Sequence, residues 1–192
     1  MEKIVLASAS PRRRELLAAA GMEFEVIASD VDENINVHTP SLLVQELALL
    51  KAAAVAKELS SPALVIGADT VVYIGGEILG KPCDAKEART MLKRLSGRLH
   101  KVYTGVCVIY SKTGKAVSKC EVTNVIFHPL SKKQIRDYVK SKEPLDKAGA
   151  YGIQGPGKKL VRGIIGSYDN VVGLPLKLLK NILKDEFDYT QN

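Results

Sequence analysis

Short apolar segments alternate with longer segments of helical periodicity through the first third of this 192-residue chain. Strands are predicted at residues 3–7, 24–28 and 63–66, where apolar and β-branched side chains cluster. Helices are predicted between them at residues 11–20 and 40–59, the first with Ser10 as its N-cap. Strands that alternate with helices in this way indicate an α/β fold, in which helices cover a sheet.

The rest of the chain adds strands that are expected to pair antiparallel. The Gly75-Gly76 pair separates the apolar segments 71–74 and 77–79, and two adjacent glycines favour a tight hairpin turn. Two longer strands are predicted at residues 102–110 and 117–127, and a last one at 160–165. Further helices are predicted at residues 84–95, 131–142 and 175–187, with a long functional loop near residues 144–157. The sequence therefore predicts a mixed sheet flanked by helices.

Composition narrows the class of protein. The net charge of +7 suggests a polyanionic partner, either a nucleic acid or a small phosphate ester. Residues 41–56, the longest mostly apolar stretch, are interrupted by Gln45, Glu46 and Lys51, so they do not predict a membrane span. The amino terminus lacks the pattern of a secretory signal, and the 3 cysteines are too widely spaced for a disulfide framework. The expected compartment is the cytoplasm.

The first motif with chemical content is the segment from Ser8 to Glu15, which includes Ser10 and three consecutive arginines. These arginines fall in the first turn of a predicted helix, where the helix dipole disfavours cations by about 0.3–1 kcal/mol each. A bound phosphate reverses that penalty, since amides, hydroxyls and guanidinium groups then converge on it. The segment predicts an anion site, with a solvated basic face as the alternative.

Asp69 is the second signal, because it interrupts the apolar segment 66–72. A carboxylate in such a segment is costly unless it is paired, bound to a metal or exposed at a strand end. Beside phosphates it could hold Mg²⁺ or orient an attacking water. The alternative is a buried aspartate that only stabilises a turn.

Three further charged residues complete the set that phosphoryl chemistry needs. Glu33 lies in an acidic loop, Lys51 lies among apolar residues of a predicted helix, and Lys81 follows a predicted hairpin strand. Each of them alone is more often a surface residue. Together with Arg12, Arg13 and Asp69 they supply cations for phosphates and carboxylates for a metal ion.

At these residues the chain resembles the Maf family of nucleotide pyrophosphatases, also called septum-formation-inhibitor-like proteins. The resemblance covers nearly the whole chain. Its main blocks are Leu6-Ala7-Ser8, Ser10-Pro11-Arg12-Arg13, Gly67-Ala68-Asp69-Thr70-Val71-Val72, Leu79-Gly80-Lys81-Pro82, Asp146-Lys147-Ala148-Gly149-Ala150-Tyr151-Gly152-Ile153-Gln154-Gly155 and Val171-Val172-Gly173-Leu174-Pro175.

The resemblance implies a Maf/Ham1-type, ITPase-like fold: an elongated mixed sheet flanked by helices, with a central cleft. It implies a single domain over residues 1–192, in which two lobes can surround the cleft, and a homodimer is common in the family. It also implies hydrolysis of a nucleoside triphosphate between the α and β phosphates with a divalent cation, Mg²⁺, Mn²⁺ or Co²⁺. Neither a stable nucleic-acid complex nor a membrane partner is expected.

Family membership would assign a role to each site residue. Asp69 would be the catalytic proton acceptor and, with Glu33, would hold the metal. The phosphates would be bound by Ser8, Ser10, Arg13, Lys51 and Lys81.

Substrate choice in the family follows three positions, which here are Arg12, Thr70 and Gln154. These residues resemble the branch that acts on dTTP and UTP, and an amide such as that of Gln154 offers a pyrimidine both a donor and an acceptor. A house-cleaning hydrolase for modified pyrimidine triphosphates, such as 5-methyl-UTP or pseudo-UTP, stays open. An alternative of another class is a non-catalytic nucleotide- or nucleic-acid-binding regulator of cell division, although aromatics are only 5% of the chain and tryptophan is absent.

Overall fold

A computed structural model describes residues 2–190 of the chain, which form α-helices, β-strands and short 3₁₀ helices. The strands are β1 Lys3–Leu6, β2 Glu25–Val26, β3 Ala63–Ile74, β4 Glu77–Leu79, β5 Leu99–Tyr110, β6 Ala116–Phe127 and β7 Val161–Ile165. The α-helices are α1 Pro11–Ala19, α2 Pro40–Glu58, α3 Ala85–Leu95, α4 Lys132–Lys140, α5 Tyr168–Val172 and α6 Leu176–Phe187. The 3₁₀ helices are Glu143–Asp146, Ala148–Ala150 and Gly155–Leu160.

The strands form a seven-stranded sheet in the order β2-β1-β3-β5-β6-β7, and β4 pairs with β3 off this path. β1 pairs in parallel with both β2 and β3, whereas β4 pairs antiparallel with β3 and β7 pairs antiparallel with β6. The predicted α/β class with a mixed sheet is thus confirmed. In the part of the chain that the structure describes, no helix combines the length and apolar character that a bilayer crossing requires.

Contacts divide the chain into two compact units. The first comprises the chain up to Asp69, the segment Thr104–Glu121 and the chain from Gly173 onward. Its core contains Leu6, Leu17, Ile66 and other apolar side chains of β1, α1, β3 and α6. The second comprises Thr70–Tyr103 and Val122–Val172, and its core is built from apolar residues of α3, α4, β5 and β6.

In the first unit, α2 lies directly on the sheet because two strand positions are glycines. A Cβ on Gly67 of β3 would come within 2.1 Å of the Ala48 carbonyl oxygen, and one on Gly105 of β5 would come within 2.1 Å of the Val44 carbonyl oxygen. Such distances are far below ordinary contact, so only glycine permits this approach of helix backbone to strand. The fit fixes the height of α2 above β3.

In the second unit, local signals determine where the helices begin. Asp84 is the N-cap of α3 and accepts a hydrogen bond from the Glu87 amide at 2.7 Å, while the Glu87 carboxylate accepts one from the Cys83 amide. Ser131 and Gln134 form a complete capping box at the start of α4. Both helices begin where the polar residues satisfy amides of the first turn, as their sequences predict.

Three predictions about individual elements need correction, and one helix was missed. Residues 63–66 and 71–74, predicted as separate strands, belong to the single 12-residue strand β3, so Asp69 lies within a strand and not at its end. The strand predicted at residues 24–28 is reduced to Glu25–Val26, and the helix α5 was not predicted. The loop predicted near residues 144–157 folds into 3₁₀ turns, which use left-handed backbone at Gly149 with φ 66°.

Candidate active site

Asp69 is 8% exposed, and its carboxylate accepts a hydrogen bond from the ammonium of Lys51. The distance from Lys51 Nζ to Asp69 Oδ1 is 2.7 Å, and the Lys51 side chain is itself only 9% exposed. Lys51 lies on α2 between Ala48 and Ala52, the two residues that pack on Gly67. The close packing of α2 on β3 therefore brings this buried ion pair together.

Glu33 adds a second carboxylate to the same ammonium. Its Oε1 atom lies 2.9 Å from Lys51 Nζ, and its side chain is 52% exposed, against 12% for Asp69. Glu33 belongs to the segment between β2 and α2, where the Asp32 side chain accepts a hydrogen bond from the Asn34 amide at 2.9 Å. Lys51 is thus held between an exposed and a buried carboxylate.

Arg13 is a further cation in the first unit. Its Nε donates to the Gly173 carbonyl oxygen at 2.8 Å, and its Nη1 donates to Ser8 Oγ at 3.2 Å. Burial lowers the pKa of Arg13, the charge of Asp69 opposes that shift, Arg12 adds to it and Glu33 opposes it. A guanidinium stays protonated through shifts of this kind, so Arg13 is a fixed cation within the electrostatic range of both carboxylates.

Ser8 and Ser10 connect β1 to α1. The Ser10 amide donates to Ser8 Oγ at 3.3 Å, so the Ser8 hydroxyl contacts both this amide and Arg13. Ser10 is the N-cap of α1 and Pro11 follows it, yet within residues 2–190 the Ser10 side chain makes no capping hydrogen bond to that helix. The amino-terminal end of α1 carries partial positive charge, as an anion site requires.

Hydrogen bonds and ion pairs link six of the ten predicted site residues. Ser8, Ser10, Arg13, Glu33, Lys51 and Asp69 are linked by hydrogen bonds or ion pairs into two adjoining groups of the first unit. Arg12 lies in the first turn of α1. Thr70, Lys81 and Gln154 belong to the second unit, and their part in a common site stays a prediction.

The Glu33 and Asp69 carboxylates fit a hard divalent cation. Both already lie within 3 Å of one positive charge, the Lys51 ammonium, and carboxylate oxygens are the ligands that Mg²⁺ prefers. Residues 2–190 contain no group of three or more His, Cys, Asp or Glu side chains arranged as a metal site. Since Mg²⁺ is often held by one or two carboxylates together with substrate phosphates, the pair matches an ion that binds with a nucleotide.

Two contributors to the site were not assigned from the sequence. Gly67 permits the approach of α2, and Gly173 supplies the carbonyl oxygen that orients Arg13. A glycine in an apolar strand signals a close approach in general, so Gly67 carried a readable signal. A backbone carbonyl has no signature in sequence, so the role of Gly173 could be found only from the fold.

Comparison with known proteins gives consistent matches over nearly the whole chain. The sequence profile described as Maf-like protein matches residues 3–186. A dTTP/UTP pyrophosphatase from Thermoanaerobacter sp. (strain X514) is 52% identical over 186 residues, which cover 97% of this chain and 97% of that protein. A dTTP/UTP pyrophosphatase from Alkaliphilus oremlandii (strain OhILAs) is 51% identical over 189 residues, covering 98% of each. One from Bacillus cereus (strain G9842) is 51% identical and covers 98% of this chain.

Solved structures of more distant proteins share the fold. A HAM1 protein from Coxiella burnetii superposes with a TM-score of 0.53 at 18% identity, covering 96% of this chain and 100% of that one. The Ham1 protein of Staphylococcus aureus gives a TM-score of 0.52 at 16% identity, with the same coverage. At such identities the likeness concerns the fold alone, and it agrees with the predicted Ham1-type architecture.

Proposed function

The chain belongs to the Maf-like protein family, and we propose that it hydrolyses dTTP and UTP to the monophosphate and pyrophosphate. Relatives that carry this activity in their names are 51–52% identical to it over nearly their full length. The observation that carries the proposal is the buried ion pair of Lys51 and Asp69, joined by Glu33. This arrangement holds both signs of charge needed to bind a triphosphate and to activate water beside it.

The chemical step assigned to Asp69 is to orient a water and accept its proton as the water attacks the α phosphorus in line. The bond from the α phosphorus to the bridging oxygen breaks, and pyrophosphate leaves. A divalent cation held by Asp69 and Glu33 would neutralise negative charge on the phosphates. Ser8, Ser10 and the amino-terminal end of α1 would supply hydrogen bonds to phosphate oxygens.

Lys51 connects substrate binding to the state of Asp69. Its ammonium lies 2.7 Å from Asp69 Oδ1 and occupies that carboxylate oxygen. Triphosphate oxygens carry more negative charge and compete for the same ammonium. Movement of Lys51 towards the phosphates frees Asp69, so the general base becomes active when substrate is bound.

Arg13 would supply a second cation, held in a fixed position. Its guanidinium is held by the Gly173 carbonyl and the Ser8 hydroxyl, so little side-chain freedom is lost when a phosphate binds. A preorganised donor of this kind is worth about 10²–10³ in rate when charge develops beside it. Lys81 is proposed to act on the phosphates as well, and Arg12, Thr70 and Gln154 to select the pyrimidine.

A screen of nucleoside triphosphates with Mg²⁺, Mn²⁺ and Co²⁺ tests the proposal, with pyrophosphate and orthophosphate measured separately. We expect pyrophosphate from dTTP and UTP, much less from ATP and GTP, and loss of product when a chelator removes the metal. Inclusion of 5-methyl-UTP and pseudo-UTP measures the extent to which modified pyrimidines are also substrates. Nucleotide binding without any pyrophosphate would refute the enzymatic proposal and favour a non-catalytic regulator.

A further inference from the structure

Tyr138 of α4 makes two hydrogen bonds through a buried hydroxyl, and neither of them belongs to the helix. The residue is 7% exposed. Its hydroxyl accepts a hydrogen bond from the Gly152 amide at 3.1 Å and donates one to Glu143 Oε1 at 3.1 Å. The hydroxyl thus joins α4 to the segment that carries Gln154, two residues after Gly152.

The chain on the other side of Gln154 packs on the same hydroxyl. A Cβ on Gly157 would lie 2.6 Å from Tyr138 Oη and 2.2 Å from the Gly152 carbonyl oxygen. Residues 152 and 157 therefore meet at Tyr138, and the intervening turn carries Gln154 with its side chain exposed. Gln154 is also the N-cap of the 3₁₀ helix Gly155–Leu160, so its backbone is fixed on both sides.

Glu143, the acceptor for the Tyr138 hydroxyl, is itself held in place. The Lys147 ammonium donates to the Glu143 carbonyl oxygen at 2.8 Å and to Asp146 Oδ1 at 2.7 Å. The Lys147 side chain also covers Gly152, where a Cβ would lie 2.8 Å from Lys147 Cε. Tyr138, Glu143 and Lys147 form a clamp on the Gly152 end of the turn.

We propose that Tyr138 is a positioning residue for substrate selection, because its hydroxyl fixes the turn that presents Gln154 to the pyrimidine base. This inference rests on the proposed function, in which Gln154 contacts the base. Tyr138 acts through Gln154 and does not touch the reacting phosphates. Its loss changes how well the base is recognised and leaves the chemical step intact.

The substitution Tyr138→Phe removes the hydroxyl and keeps the ring in the core. We expect KM for dTTP and UTP to rise about threefold to tenfold, the usual effect of one lost hydrogen bond, with kcat within about twofold of the parent. The ratio of kcat/KM for pyrimidine triphosphates to kcat/KM for purine triphosphates should fall by a similar factor. Hydrogen exchange at the Gly152 amide should also accelerate.

Matched variants separate positioning from a general structural effect. Tyr110→Phe removes another tyrosine–carboxylate hydrogen bond, to Glu2 at 3.0 Å, and should leave substrate preference unchanged. Glu143→Gln keeps an acceptor oxygen for the Tyr138 hydroxyl and should retain the parent preference. Glu143→Leu should reproduce the effect of Tyr138→Phe, which provides a second route if the tyrosine variant folds poorly.

A double-mutant cycle with Gln154→Ala decides the case. If Tyr138 acts through Gln154, Tyr138→Phe changes substrate preference in the parent and has no further effect in the Gln154→Ala background. An equal effect in both backgrounds, or an equal loss for purine and pyrimidine triphosphates, would overturn the positioning role. If Gln154→Ala itself leaves preference unchanged while pyrophosphate is still released, base reading by Gln154 fails and this inference fails with it. Absence of pyrophosphate from the parent protein would instead refute the proposed function.

Discussion

Replacing Gly67 with alanine should separate the two elements that form the buried ion pair. The added Cβ would lie 2.1 Å from the Ala48 carbonyl oxygen and 2.9 Å from the Ala52 amide nitrogen, and both are backbone atoms of α2. Ordinary contact begins at 3.4 Å, so α2 has to move away from β3 by about 1.3 Å. Overpacking of this kind costs about 1–3 kcal/mol of unfolding free energy, and a backbone neighbour that cannot rotate aside favours the upper end.

The same displacement acts on the site because Lys51 lies between Ala48 and Ala52 and moves with α2. The distance from Lys51 Nζ to Asp69 Oδ1, now 2.7 Å, has to lengthen or be restored by a strained side chain. Misplacement of catalytic groups by about 1 Å can cost about 10²-fold in rate. We therefore expect kcat/KM for dTTP to fall by about that factor in protein that is still folded.

Urea unfolding and steady-state pyrophosphate release measure the two effects on the same preparation. Gly163→Ala is the matched control, because a Cβ there meets nothing within 4 Å and its φ lies outside the left-handed region. It should change the unfolding free energy by less than about 0.5 kcal/mol. A Gly67→Ala variant with the stability and kcat/KM of the parent would refute the claim that close packing of α2 positions Lys51.

Two further predictions concern Arg13 and His100. Arg13→Lys should lower kcat/KM for dTTP by about 10–100-fold, because a single ammonium lacks the planar fork that places Nε on the Gly173 carbonyl and Nη1 on the Ser8 hydroxyl. Nearly normal kinetics would contradict the role of the guanidinium. Burial lowers the pKa of His100 from 6.5 to about 4, so the folded state favours the neutral ring. The contribution of His100 to the free energy of unfolding is therefore complete above pH 6.5, and about 3 kcal/mol of it is lost as pH falls to 4. As pH falls from 6.5 to 4, the free energy of unfolding of His100→Gln, measured in urea, should decrease less than that of the parent. The control His128→Gln, which replaces an exposed histidine, should behave like the parent. Parallel pH profiles for all three proteins would contradict the assignment.

The arrangement of helices and strands followed largely from local signals. Apolar periodicity predicted α2, and the capping pattern at Asp84 marked the start of α3. The prediction of two separate strands in place of β3 was wrong because Gly67 and Asp69, which lie between them, are both unfavourable in an isolated strand. In the fold Gly67 is required by the approach of α2, and Asp69 is paired with Lys51. Those partners lie 15–19 residues earlier in the chain, so a local window does not contain them.

The sequence predicted the charged residues of the candidate site better than it predicted their geometry. A lysine in an apolar helix and an aspartate in an apolar strand each indicate a buried partner, and the structure pairs Lys51 with Asp69. Glu33 was a weaker candidate, since surface carboxylates are common, and its role at the metal was implied only by the family resemblance. The Tyr138 contacts were not predicted, because a tyrosine in an amphipathic helix is ordinarily a core residue and its backbone partner Gly152 is invisible in sequence.

The most direct test of the central claim, that Asp69 activates water for pyrophosphate release, is the reaction of Asp69→Asn with dTTP. Asparagine keeps the size of the side chain and can still accept a hydrogen bond from Lys51, but it cannot take the proton of an attacking water. With folding checked by circular dichroism and urea unfolding, we expect dTTP to bind and pyrophosphate release to fall by at least about 10²–10⁴-fold. Pyrophosphate release near the parent rate from a folded Asp69→Asn protein would contradict the account.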